Sequence, residues 1–160
     1  MSRPGLLLAV LALAPVLWPA MARAEQTPEM TAAYRAQTGQ RGLDAWLADL
    51  NHYVERHPDA FLDALHHGTG IARRTLRGWL DTPGRQAADL YLACQLAVLL
   101  DTPCPQLLQW RDGAGDTGWQ GALAAAGQGE PPLRVGAAQW QAVREALARD
   151  YRHFARPQPR

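Results

Sequence analysis

The fifteen residues Gln86–Leu100, QAADLYLACQLAVLL, constrain this chain more than any other stretch, because from Leu90 onward only Gln95 breaks the apolar run before Asp101. A helix that is apolar on nearly every side has to be surrounded by other elements. It is shorter than the roughly twenty residues needed to span a bilayer. Its place is therefore the centre of a small helical bundle.

The start of the chain has the three parts of a secretory leader. Met1-Ser2-Arg3 is a short basic region, Leu6–Leu17 is an apolar core, and Ala22-Arg23-Ala24 is the small-x-small pattern read by signal peptidase. Residues 1–24 are therefore expected to be a signal peptide cleaved after Ala24, giving a periplasmic or secreted protein without a transmembrane anchor. All 16 basic residues are arginine, and loss of Arg3 and Arg23 leaves 14 of them against 15 acidic residues. A formal charge near −1 gives no general attraction to nucleic acid or to an anionic membrane. About 136 mature residues suit one domain with one core.

Residues 25–39 read as an N-terminal arm or short helix, opened by Thr27-Pro28-Glu29 and stopped near Gly39. The helical domain is expected over residues 40–156, with 157–160 a disordered tail. Leu43, Trp46, Leu47, Leu50, Tyr53 and Val54 recur at three- and four-residue spacing, which predicts an amphipathic helix ended by Pro58. Pro58 opens a second helix carrying Phe61, Leu62 and Leu65, with Gly68 as its stop. A third carries Ile71, Leu76, Trp79 and Leu80 inward and Arg73, Arg74 and Arg77 outward. Leu-Asp-Thr-Pro occurs at Leu80–Pro83 and again at Leu100–Pro103, on either side of the apolar helix, and each copy closes one helix and opens the next. Short helices follow around Leu107–Trp110 and over Trp119–Ala126, and the last helix spans about Ala137–Phe154. The five mature tryptophans, Trp46, Trp79, Trp110, Trp119 and Trp140, lie about one per helix and read as core anchors. No stretch reads as a strand. The expected fold is an all-α bundle of about seven helices around residues 86–100.

Chemical motifs are scarce. Leu62–Leu80 has the outline of a helix-turn-helix, but the charge balance and the leader favour a structural packing unit, and no nucleic-acid partner is expected. His52, His57, His66 and His67 are the metal-ligand candidates, since neutral imidazoles bind zinc, copper or nickel. His52 and His57 are five residues apart rather than the four that stacks ligands on one helix face, so solvated histidines are the favoured reading. No GxSxG, phosphate-binding glycine loop or haem-attachment motif is present, and no cofactor or catalytic residue is assigned. For Cys94 and Cys104 an oxidising compartment favours a bridge. Against that, Cys94 lies about 9 Å inside the central helix, beyond the roughly 7 Å that a bridge tolerates, and two free thiols are expected.

With Asp89-x-x-x-Ala93-x-x-x-Ala97, then Arg111, Gly113, Gly118-Trp119 and Gly127, the middle of the chain resembles a loosely defined group of small secreted bacterial helical proteins. The resemblance covers about residues 70–127; Gln120 stands where that group has a second glycine, and the glycine link is longer here. It implies an exported all-helical domain and no particular activity. The reading is an exported, non-catalytic binding or interaction module with an unknown protein or small-molecule partner in the cell envelope. The alternatives are a histidine-based periplasmic metal-binding protein and a cell-envelope enzyme with a site the sequence does not disclose.

Overall fold

Seven α-helices follow one another in a computed structural model that describes residues 34–129 and 132–154, all within a unit spanning Ala33–Arg160. They are α1 (Arg41–Arg56), α2 (Pro58–Thr69), α3 (Arg73–Leu80), α4 (Ala87–Leu100), α5 (Cys104–Gly113), α6 (Gly118–Ala126) and α7 (Ala137–Phe154), with a 3-10 turn at Gly115–Thr117 before α6. There is no strand among the described residues. None of their helices is long and apolar enough to cross a membrane.

The apolar stretch is the hub. α4 packs against α1, α2, α3, α5 and α7, and every residue from Ala87 to Ala97 is buried, Asp89 and Gln95 among them. Leu92, Ala93 and Leu96 are wholly enclosed, as an apolar helix requires. Leu99, which the apolar run places in the core, is instead 37% exposed beside Val98 at 57%. The last turn of α4 projects past its neighbours. Trp119 and Trp140 serve as core anchors, whereas Trp46 is 43% exposed and leans on Tyr151 with ring centroids 6.4 Å apart.

The punctuation follows the proline and glycine chemistry. Pro58 occupies the first turn of α2, and Gly70 closes that helix in the left-handed conformation, its N–H donating to the His66 carbonyl. Asp101 closes α4 in the same conformation at φ 50°, with the Thr102 N–H donating to the Ala97 carbonyl. This reversal overturns the expectation of free thiols. Cys94 and Cys104 form a disulfide with a Cα separation of 4.8 Å, although α4 does run to Leu100. Thr102 and the extended Pro103 lead back along α4, an extended residue covering about 3.3–3.6 Å. A few such residues retrace the ~9 Å between Cys94 and the helix end, so Cys104 opens α5 beside Cys94.

The short helix expected to stop near Gly39 does not reach that glycine: residues 34–40 carry no helix, and the remainder of that segment, with the leader and the C-terminal tail, lies outside the described residues. Residues 34–40 are nonetheless docked. The Ala36 and Gln37 carbonyls accept 2.9 Å hydrogen bonds from the Trp119 and Gln120 N–H groups. Those are first-turn donors of α6, which have no partner inside their own helix. Gly118 makes the approach possible, since a Cβ there would lie 2.7 Å from the Ala36 carbonyl oxygen and φ is +59°.

Candidate functional site

A charged residue in the first turn of an otherwise apolar helix needs partners, and Asp89 recruits them from three other parts of the fold. Its Oδ1 accepts hydrogen bonds from the Tyr34 hydroxyl at 2.8 Å, the Trp119 indole N–H at 2.8 Å and the Arg111 Nε–H at 3.1 Å. Tyr34 comes from the segment docked on α6, Trp119 from α6 itself and Arg111 from the last turn of α5. Burial, reinforced by the neighbouring Asp89 charge and hydrogen bond, pushes the Tyr34 hydroxyl far above its ordinary pKa, so it stays a donor. Arg111 is fixed further by a 3.3 Å bond from Nη1 to the Gly115 carbonyl.

All three donors fall on Oδ1. Among the described residues none falls on Oδ2, and the small part of Asp89 left exposed lies on the wall of a cavity of about 370 Å³. The link between α3 and α4 forms one side of this cavity with Thr82, Pro83, Gly84, Arg85 and Gln86, and α5 forms the other with Arg111 and Asp112. Across it, Arg85 and Asp112 make a two-pronged pair, Nη1 to Oδ1 at 2.7 Å and Nη2 to Oδ2 at 2.8 Å. The Arg85 side chain is only 9% exposed while that of Asp112 is 57% exposed. Arg85 Nε is buried with no partner among the described residues. The wall therefore carries two guanidinium and two carboxylate groups and no aromatic ring. At roughly the lower end of the 300–1,000 Å³ range of small-ligand sites, the cavity can hold a small polar molecule.

The four histidines do not converge here. His66 Nδ1 pairs with the Ile71 carbonyl at 2.8 Å and His67 Nδ1 with the Asp63 carbonyl at 2.7 Å, both at the α2 C-terminus. His52 lies exposed, 3.9 Å from Glu55, and His57 packs on Tyr53 with ring centroids 4.8 Å apart. Among the described residues no three His, Cys, Asp or Glu side chains are grouped to hold a metal ion. On α3, Arg73 pairs with Asp59 and Asp63, and Arg77 pairs with Asp59. Those two guanidinium groups are tied to α2.

In the sequence reading Asp89 and Arg111 were marks of a resemblance, Trp119 was that and a core anchor, and Arg85, Asp112 and Tyr34 had no site role. One signal was present: Asp89 is the only charged residue between Arg85 and Asp101. No known protein family, curated protein or solved structure matches the chain.

Proposed function

We propose that this protein is an exported, non-catalytic binding module that holds a small polar molecule in the cavity between the α3–α4 link and α5. The observation that carries this reading is Asp89, a carboxylate on a polar cavity wall with one oxygen tied by three donors and the other without a partner among the described residues. A buried polar group normally has its hydrogen bonds satisfied, so an oxygen left over at a cavity suits ligand contact. Three donors on the other oxygen suit a group fixed in place. Export is supported by the leader pattern and by the Cys94–Cys104 bridge, because disulfides persist in oxidising compartments.

Two measurements test the reading. Protein recovered from its host should begin at Glu25, whereas an intact Met1 in the cytosol contradicts export. The amide spectrum of the isotope-labelled mature protein, titrated with the small-molecule fraction of a cell-envelope extract, should shift at Gly84, Arg85, Asp89 and Arg111. A spectrum unchanged at these residues contradicts the binding site.

A further inference from the structure

Resting on the cavity reading above, we infer that the ligand is a short zwitterion of the free α-amino-acid class, its ammonium on Asp89 Oδ2 and its carboxylate on the Arg111 guanidinium. Four charged side chains line the cavity, Arg85, Arg111, Asp89 and Asp112, two of each sign. Arg85 and Asp112 spend their paired ends on each other, so that half of the wall is already neutral. The Asp89–Arg111 half is joined by a single Nε–Oδ1 contact. Among the described residues Oδ2, which can only accept, is left over on one partner, and Nη2, which can only donate, on the other.

A ligand that satisfies both must present a donor and an acceptor close together. Ions of one sign satisfy only one of them and bring an uncompensated charge to a wall whose own charges cancel. A sugar or other uncharged ring gains most of its affinity from stacking on aromatic or apolar surface. The lining offers no aromatic side chain, and Pro83 is its one wholly apolar side chain. Binding here has to rest on polar contacts. Full charges on both sides of each contact add Coulomb attraction in a partly buried site, which favours an ammonium and a carboxylate over an amide.

Calorimetric titration of the mature, oxidised protein with the common α-amino acids, one at a time at neutral pH, tests the inference. At least one should bind with a dissociation constant below about 1 mM. Its N-acetyl and its carboxamide derivatives should each bind about a hundredfold or more weakly, since each leaves a buried charged group unpaired. Asp89→Asn should abolish binding, and His52→Ala, an exposed change away from the cavity lining, should retain it. Failure of every α-amino acid to bind, or equal binding of either blocked derivative, overturns the inference. If the envelope extract shifts the cavity amides while no amino acid binds, the zwitterion is wrong and the cavity stands; if neither acts, both fall.

Discussion

Asp89 and Trp119, thirty residues apart, are joined by a 2.8 Å hydrogen bond from the indole N–H to Oδ1, and this bond ties α6 to the first turn of the central helix. Tyr34 and Arg111 meet the same oxygen, so four separate parts of the chain share one acceptor. The joint is structural on its Oδ1 side, and the proposed ligand contact lies on its Oδ2 side.

Removing single members of this joint should therefore have graded costs. Tyr34→Phe deletes one hydrogen bond to a charged group and is expected to cost about 1.5–3 kcal/mol. Asp89→Ala leaves the Arg111 guanidinium without its carboxylate and should cost about 3–5 kcal/mol. Chemical denaturation of the two variants measures both, and equal losses would show that the buried charge matters no more than one hydrogen bond to it.

The Cys94–Cys104 bridge joins α4 to α5 and so holds Asp89 and Arg111, which meet at 3.1 Å on the cavity wall, on two cross-linked helices. Both cysteines are buried, so the bridge is shielded from reductant in the folded state. Thiol titration of the denatured, unreduced protein should count no free groups. Replacing both cysteines by alanine should lower stability by about 2–5 kcal/mol, the usual cost of losing a native bridge from a small domain.

Alkaline pH should destabilise the fold. Burial raises the hydroxyls of Tyr34 and Tyr91 well above their ordinary pKa, with Asp89 and Asp150 adding to the effect, and pushes Tyr151 up to about 12. The folded state thus keeps protons that the unfolded state gives up once the pH passes about 10. The stabilising contribution is complete below that pH and is lost as pH rises toward and beyond 12. Each phenol that the folded state keeps protonated lowers stability by about 1.4 kcal/mol per pH unit across this window. Ultraviolet titration should show Tyr34 and Tyr91 ionising together with loss of helical circular dichroism; their ionisation in a still-folded protein would contradict the burial.

Local chemistry made most of the architecture legible. Pro58 and the two Asp-Thr-Pro segments mark helix ends where the structure has them, although α2 runs through the expected stop at Gly68 to close at Gly70 and α4 opens at Ala87 rather than at Pro83. The apolar run of α4 lies at the centre because nothing else can enclose it. What escaped depended on direction after a chain reversal. The left-handed Asp101 decides whether Cys104 lies beside Cys94, and an aspartate in that conformation carries no strong sequence signal. The site escaped for a similar reason, since Tyr34, Asp89, Arg111 and Trp119 converge from separations of 22 to 55 residues that no local period encodes. Asp89 alone stood out, as a charge inside an apolar helix.

Native mass spectrometry of the protein recovered from its host's cell envelope tests the central claim most directly. The wild-type chain should carry a small-molecule adduct that His52→Ala, away from the cavity, retains and the near-isosteric Asp89→Asn loses. A wild-type chain with no adduct, or an adduct equally present on Asp89→Asn, would contradict the assignment of the cavity as the binding site.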